Sequence, residues 1–243
     1  FLKKAAALPG IYVPSLYEPR YREDGTLSSF EPLCPEAPAS VRRLVMSVLD
    51  RADFIDTPLV PFIRVTQDRS VLELMRGCIR GCRFCQAGNV YRPQREHSVE
   101  YLKRYAEKLL KITGNEEISL SSLSSSDYSR LQEFLEYLIQ YTKERKINIS
   151  LPSLRIDAFS LDVMQRIQDL KKSSLTFAPE AGTQRLRDVI NKGITEEDIM
   201  RGVSSAFHGG WTKVKFYFML GLPTETEEDR KGIPDLCERV ADL

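Results

Sequence analysis

Two rhythms of apolar and polar residues divide this chain near residue 60. Downstream, short apolar runs alternate with longer stretches whose apolar residues recur at helical spacing, a pattern that predicts strands separated by amphipathic helices. Strands are predicted at Phe62–Thr66, Val71–Met75, Ile118–Leu123, Ile147–Leu151, Ser174–Phe177 and Val214–Leu220. Helices are predicted at Ser98–Ile112, Tyr128–Arg145, Leu161–Leu170, Thr183–Asn191 and Glu196–Phe207, with another from about Thr226. Leu131, Phe134, Leu135, Leu138 and Ile139 fall on one face of the second helix. Ser98 and Thr195 stand where N-caps belong, although Tyr101 occupies the position at which a capping box carries Glu or Gln.

Strands separated by helices imply parallel pairing through right-handed crossovers. Counted from Val71–Met75, five strand-helix units follow, most of an α/β barrel. Reactive groups of such a barrel sit on the loops that follow the strands. The loops to inspect therefore follow Met75, Leu123, Leu151, Phe177 and Leu220.

Upstream the pattern is irregular. Six prolines punctuate the stretch from Pro9 to Pro38, and Asp24-Gly25 predicts a turn. One short amphipathic helix is predicted over Val41–Asp53, with Val41, Leu44, Val45 and Val48 at helical spacing. Residues 1–60 are expected to form a connector or arm, and 61–243 the core.

Composition narrows the class. Of 243 residues, 42% are hydrophobic and 28% charged, with a net charge of +1, an ordinary globular balance without a broad polyanion-binding surface. No apolar run reaches membrane-spanning length, and no signal-peptide pattern opens the chain. The chain starts on Phe1 and stops in a helix-like segment at Leu243, so an excerpt of a longer protein is expected. Five cysteines, three of them in one loop, suit metal binding in a reducing cytoplasm better than disulfides.

Those three are Cys78, Cys82 and Cys85, within Arg76-Gly-Cys-Ile-Arg-Gly-Cys-Arg-Phe-Cys-Gln-Ala-Gly88, just after the first counted strand. Three thiolates suit three corners of a [4Fe-4S] cluster and leave one iron open to a non-protein ligand. The alternative is zinc, which takes four ligands in paired spacing; the only histidines are His97 and His208, and His97 could complete a Cys3His set. Cys34 and Cys237 stand alone and are read as bystanders.

Cys-x3-Cys-x-aromatic-Cys after a first strand resembles the signature of the radical S-adenosylmethionine (SAM) superfamily. The resemblance implies a partial (β/α)6 TIM-type barrel, truncated after about five strand-helix units, with its sixth strand beyond Leu243. It implies Cys78, Cys82 and Cys85 as cluster ligands and Phe84 as the aromatic residue near the adenine. It also implies that S-adenosylmethionine chelates the open iron and is cleaved by one electron to a 5′-deoxyadenosyl radical. An external donor of flavodoxin or ferredoxin type would supply that electron.

The other rim loops carry weaker candidates. In Leu120–Asp127, hydroxyls including Ser124 and Ser126 replace the glycine-glutamate element that the superfamily commonly places there. Asp127 is either an acceptor for the cofactor ammonium or the cap of the next helix. After the third strand, Ser153 and Arg155 are candidates for the cofactor's ribose and carboxylate, with an Arg155–Asp157 surface pair as the alternative. Glu180 could accept from a ribose diol or an ammonium, or simply favour a helix N-terminus. Gly221, in Tyr217-Phe-Met-Leu-Gly-Leu-Pro-Thr-Glu225, corresponds to the fifth-strand glycine that lets backbone approach the adenine, and Glu225 is expected to close that turn. Arg76, Arg80, Arg83, Arg92 and Arg95 crowd the cysteines and suit either an anionic group or a solvated basic face. Together with Tyr91 they also suit stacking on single-stranded RNA.

Ile11–Tyr17, Met75–Gly88, Tyr91-Arg-Pro93, Ile149–Arg155 and Leu175–Asn191 are similar to one branch of the superfamily, whose full-length members carry a cobalamin-binding-like domain before the radical core. That likeness implies that residues 1–60 follow such a domain, and brings cobalamin in as a further cofactor outside this chain. The expected function is a radical enzyme that methylates or methylthiolates RNA, a protein, a ribosome-related substrate or a metabolite. The alternative is an iron-sulfur electron-transfer or regulatory module without turnover.

Overall fold

The computed structural model describes residues 1–51, 55, 57–63, 65–152, 155–158 and 175–243. It comprises two compact units, Phe1–Ser47 and Val48–Leu243.

The first unit is more ordered than its prolines suggest. Helix α1 (Leu2–Ala6) and a 3-10 turn at Pro14–Leu16 precede an antiparallel hairpin of β1 (Tyr17–Tyr21) and β2 (Leu27–Pro32). Asp24 and Gly25 form its turn: Asp24 Oδ1 accepts the Thr26 amide at 2.9 Å, and Gly25 has φ +80°. Pro19 and Pro32 hid these strands in the sequence, yet a two-stranded ribbon has edges on which proline is tolerated. Tyr17 is buried, stacks on Phe30 at 5.3 Å and donates to the Pro38 carbonyl at 2.8 Å.

The helix expected from Val41 does not form over residues 41–48; a 3-10 turn covers Leu49–Arg51, and 52–53 lie outside the described residues. So short a helix needs tertiary packing of its apolar face. Here Leu44, Val45 and Val48 are exposed, and Leu44 lies over Gly10, where a Cβ would come within 2.7 Å of its Cγ. Phe62–Thr66 likewise forms no strand among its described residues, and Phe62 is fully exposed.

In the second unit all five strands counted from Val71 appear. β3 (Ser70–Glu73), β6 (Glu117–Ser121) and β7 (Asn148–Ser150) form a parallel sheet in that order, and β8 (Leu175–Glu180) pairs in parallel with β9 (Val214–Phe218). Among the described residues no pairing joins β7 to β8, and no closed barrel is formed among them. The predicted helix Leu161–Leu170 and residue Ser174 lie outside the described residues.

Alternation along the strands separates two faces. Leu72, Ile118, Leu120, Ile149, Leu175 and Phe177 are buried in one core cluster with helix residues. Helix α3 (Val99–Thr113) contributes Val99, Leu102, Ala106 and Leu110, spaced to form one stripe. Helix α4 (Leu131–Lys143) contributes Phe134, Leu135 and Leu138. Ser98 caps α3 by accepting the Tyr101 amide at 3.1 Å, and Gly114 ends it at φ +68°.

The chain then runs through α5 (Gln184–Val189) and α6 (Glu196–His208) to β9, and ends in α7 (Glu227–Ala241). Thr195 and Thr226 head α6 and α7 in complete capping boxes with Asp198 and Asp229.

Candidate active site

The cysteine loop leaves the core from β4 (Met75–Arg76) and returns through β5 (Arg95–Glu96), an antiparallel pair that closes its base. Gly77 makes the exit turn at φ +88°. A Cβ there would sit 2.6 Å from the Tyr91 carbonyl oxygen and 2.9 Å from Gln94 Cα and the Pro93 oxygen. Backbone surrounds the position, so only glycine fits.

Cys78, Cys82 and Cys85 are half-buried free thiols, and all three line one cleft of about 350 Å³. Cys85 heads the short helix α2 (Gln86–Val90). Two of the sulfurs accept backbone amides: Arg80 N to Cys78 Sγ at 3.4 Å and Gly88 N to Cys85 Sγ at 3.3 Å.

The opposite wall comes from strand ends, the side on which α/β folds keep their reactive groups. Leu123 and Ser124 follow β6, Pro152 and Arg155 follow β7, Thr176, Phe177, Ala178 and Glu180 belong to β8, and Tyr217 to β9. Lys192 and Phe84 complete the lining.

Charge in and behind the cleft is paired. Arg80 donates to Asp127 from Nε at 2.9 Å, and its Nη1 lies 3.7 Å from Asp157. Burial pushes the Asp127 carboxyl up, but hydrogen bonds from Arg80 and Ser124 outweigh it and hold the group below its ordinary value. Asp127 in turn raises Arg80. Arg155 forks onto Asp157 at 2.9 and 3.1 Å. The Lys192 ammonium bonds Glu180 at 3.0 Å and lies 5.7 Å from the centre of the Phe84 ring.

Several sequence-derived candidates therefore converge: Cys78, Cys82, Phe84, Cys85, Ser124, Arg155 and Glu180 all face one space. Ser126 does not line it; its hydroxyl accepts the Arg155 amide at 3.0 Å and so fixes that residue. Gly221 is not in the lining either. It has φ +79°, its amide bonds Glu225 at 2.9 Å, and nothing lies within 4 Å of where its Cβ would be. Glu225 thus closes the turn as expected. Ser153 lies outside the described residues.

Asp127 is not a helix cap. Arg130 occupies the N-cap of α4, and Asp127 ends a 3-10 turn, drawn to Arg80 instead. The crowded arginines are staples of the loop: Arg76 grips Glu73 at 2.9 Å, Arg92 the Arg80 carbonyl at 3.0 Å and Arg95 the Pro93 carbonyl at 3.0 Å, while Arg83 donates to the Val189 carbonyl.

Lys192, Thr176 and Tyr217 were missed. Tyr217 lies between the partly buried Phe216 and Phe218, and Thr176 between the buried Leu175 and Phe177, a period-two alternation in burial that the strand pattern of the sequence carries. Lys192 follows Asn191, whose φ of +52° ends α5, so an Asn-Lys-Gly helix stop was its only local trace.

Zinc fits these donors poorly. Among the described residues no three His, Cys, Asp or Glu side chains are placed to hold a single ion. His97 does not line the cleft that the cysteines share; its Nδ1 bonds Asp50 at 2.8 Å and its ring stacks on Tyr101. Three thiols spread around one cleft match the cubane, in which each thiolate takes a different iron.

Three relatives place the chain. An uncharacterised protein of Methanocaldococcus jannaschii is 41% identical over 170 residues, covering 70% of this chain and 37% of that protein. A putative methylthiotransferase of the same organism is 27% identical, covering 65% of this chain and 36% of that protein. An uncharacterised methyltransferase of Pyrococcus horikoshii is 26% identical, covering 94% of this chain and 47% of that protein. The chain thus spans less than half the length of these relatives.

Among solved structures, the radical S-adenosylmethionine methyltransferase TsrM of Kitasatospora setae, solved with cobalamin and a [4Fe-4S] cluster, superposes with a TM-score of 0.57 at 14% identity. The match covers 71% of this chain and 34% of that one. The cobalamin-dependent S-adenosylmethionine radical enzyme OxsB superposes with a TM-score of 0.56 at 16% identity over 70% of this chain and 26% of that one. Both likenesses are of fold. Residues 72–237, from the first strand of the core into its last helix, match the Radical SAM superfamily profile, and the chain belongs to that superfamily.

Proposed function

We propose that Cys78, Cys82 and Cys85 hold the family's [4Fe-4S] cluster and that the cleft beside them takes S-adenosylmethionine. One observation carries this reading: three half-buried thiols share a cleft with residues from the ends of β8 and β9 and from the loops after β6 and β7. When bound, the cluster supplies an electron that cleaves the cofactor's carbon–sulfur bond.

The chain's own residues bind and orient. Phe84 and Tyr217 offer ring faces for a planar base. Glu180, steadied by Lys192, offers carboxylate oxygens to ribose hydroxyls. Arg155, fixed by Ser126 and Asp157, offers a cation at the cleft wall to a carboxylate.

For the whole protein we propose methyl transfer assisted by cobalamin. The likeness to a named methyltransferase along 94% of this chain supports it, as does the fold shared with one neighbour solved with cobalamin and another that is cobalamin-dependent. An external flavodoxin or ferredoxin type donor would provide the electron, and the reducing cytoplasm suits five free thiols.

The test is anaerobic and uses the full-length protein. Iron and sulfide are added, then S-adenosylmethionine and a reductant, and 5′-deoxyadenosine is assayed. Uptake of a cluster and reductant-dependent 5′-deoxyadenosine are expected, and Cys78→Ala, Cys82→Ala and Cys85→Ala should each abolish both. A fully loaded cluster that fails to bind S-adenosylmethionine would sink the reading in favour of an electron-transfer module.

A further inference from the structure

The segment that ends α5 and follows it, Val189–Gly193, touches both the cysteine loop and the cleft. Toward the loop, Asn191 Nδ2 donates to the Gly81 carbonyl at 2.8 Å, and the Ile190 carbonyl accepts the Arg83 amide at 2.9 Å. The Val189 carbonyl accepts from the Arg83 guanidinium, placing a cation at a helix C-terminus where the dipole favours it. Toward the cleft, Lys192 pairs with Glu180, and the Lys192 carbonyl accepts from Arg155 at 3.2 Å.

The segment is itself anchored. The Asn191 and Lys192 amides return to the carbonyls of Asp188 and Arg187 at 3.0 and 2.9 Å. The Arg187 guanidinium, wholly buried, holds the carbonyls of Ala181, Gly182 and Ile194 at 3.0, 3.0 and 3.2 Å. Two ends of one loop are thereby fixed to the strand end that carries Glu180.

Position 191 makes two demands at once. Its φ of +52° is left-handed, which most side chains resist and asparagine tolerates. Its side chain must also donate across to the cysteine loop. Glycine meets only the first demand, and aspartate keeps the shape but turns an acceptor on the Gly81 carbonyl. The fit is close on the other side too, since a Cβ on Gly81 would lie 2.9 Å from Asn191 Nδ2.

We propose that Asn191 is a positioning residue for the cysteine loop: by fixing the Gly81 carbonyl it sets Cys82 relative to Cys78 and Cys85, and through Lys192 it ties that setting to the cleft. The proposal rests on the reading that these cysteines hold the cluster, but the geometry of the loop can be tested without it.

The experiment compares wild type, Asn191→Gly and Asn191→Asp in the full-length protein, with two readouts. In metal-free protein, alkylation of each cysteine by iodoacetamide is followed by mass spectrometry. Losing one net hydrogen bond should raise the Cys82 rate by about fivefold in Asn191→Gly and further in Asn191→Asp, with Cys34 and Cys237 unchanged as internal references. After reconstitution, the reduced cluster's EPR signal is recorded before and after S-adenosylmethionine. Both variants should give altered g-values and a smaller cofactor-induced change, which a merely structural role would not produce. Cys82 alkylation at the wild-type rate overturns the proposal, as do unchanged EPR spectra from equally loaded clusters. If wild type takes up no iron and sulfide, the cluster reading fails, and the alkylation rates alone decide whether Asn191 positions the loop.

Discussion

Replacing Gly77 by alanine tests the account of how the cysteine loop leaves the core. Two costs combine there. A non-glycine residue forced to φ +88° loses about 1–2 kcal/mol from the left-handed backbone. Its methyl group would also meet three backbone atoms at 2.6 to 2.9 Å, none of which can swing aside as a side chain end would. Overpacking of that kind costs about 1–3 kcal/mol, so the sum is about 2–5 kcal/mol. For a chain of this size that corresponds to a fall in Tm of roughly 4–20 °C. Gly114 supplies the control: it has φ +68° with nothing within 4 Å of where a methyl would sit, so Gly114→Ala should carry the backbone cost alone, about 1–2 kcal/mol. Urea denaturation of metal-free protein, followed by tryptophan fluorescence from Trp211, measures both. If Gly77→Ala and Gly114→Ala shift the midpoint equally, the crowding at Gly77 carries no energy and the reasoning fails.

Gly182→Ala should destabilise by about 1–3 kcal/mol, because its methyl would lie 2.3 Å from the Gly232 carbonyl carbon and the Ile233 nitrogen and push α7 away; thermal melting reads it. Thr195→Ala removes the cap of α6 and should cost about 1 kcal/mol by the same measurement. Burial holds His97 below its ordinary pKa, although the bond to Asp50 and the nearby Glu73 oppose this while Arg76 assists. A lowered folded value means that this contribution to stability is complete above about pH 6.5 and is lost as pH falls through the folded value. The urea midpoint should therefore drop between pH 7.5 and 5.5, and a midpoint as steep in pH for His97→Gln would contradict the assignment.

What was legible in the sequence was local. Ser98, Thr195 and Thr226 cap helices because their partners lie three residues away, within reach of any reading of spacing. The five strands after Val71 were legible for a similar reason: each buries one alternating face in a single core cluster. The hairpin at Tyr17–Pro32 was not, because its prolines are breakers in a central strand but harmless on a ribbon edge. Nor was the failure of the helix from Val41, whose apolar spacing was sound but whose Leu44 found Gly10 before any helical neighbour.

The site shows the same divide at higher stakes. Three cysteines within eight residues announce themselves, whereas the role of each arginine beside them depends on partners far along the chain. Arg80 reaches 47 residues to Asp127, and Arg83 reaches 106 to Val189. Each of these residues is held by a carbonyl or a carboxylate, both of which a guanidinium fork satisfies, while Arg83 and Arg92 stay exposed. Arg80, Arg155 and Lys192, the cations that line the cleft, already meet Asp127, Asp157 and Glu180. An occupant of the cleft thus enters a space whose walls are charged but locally neutral. On the proposed reading, an occupant would gain from ring contacts at Phe84 and Tyr217 and from exchange of hydrogen bonds with Glu180 and Arg155, with little from long-range attraction by these paired cations.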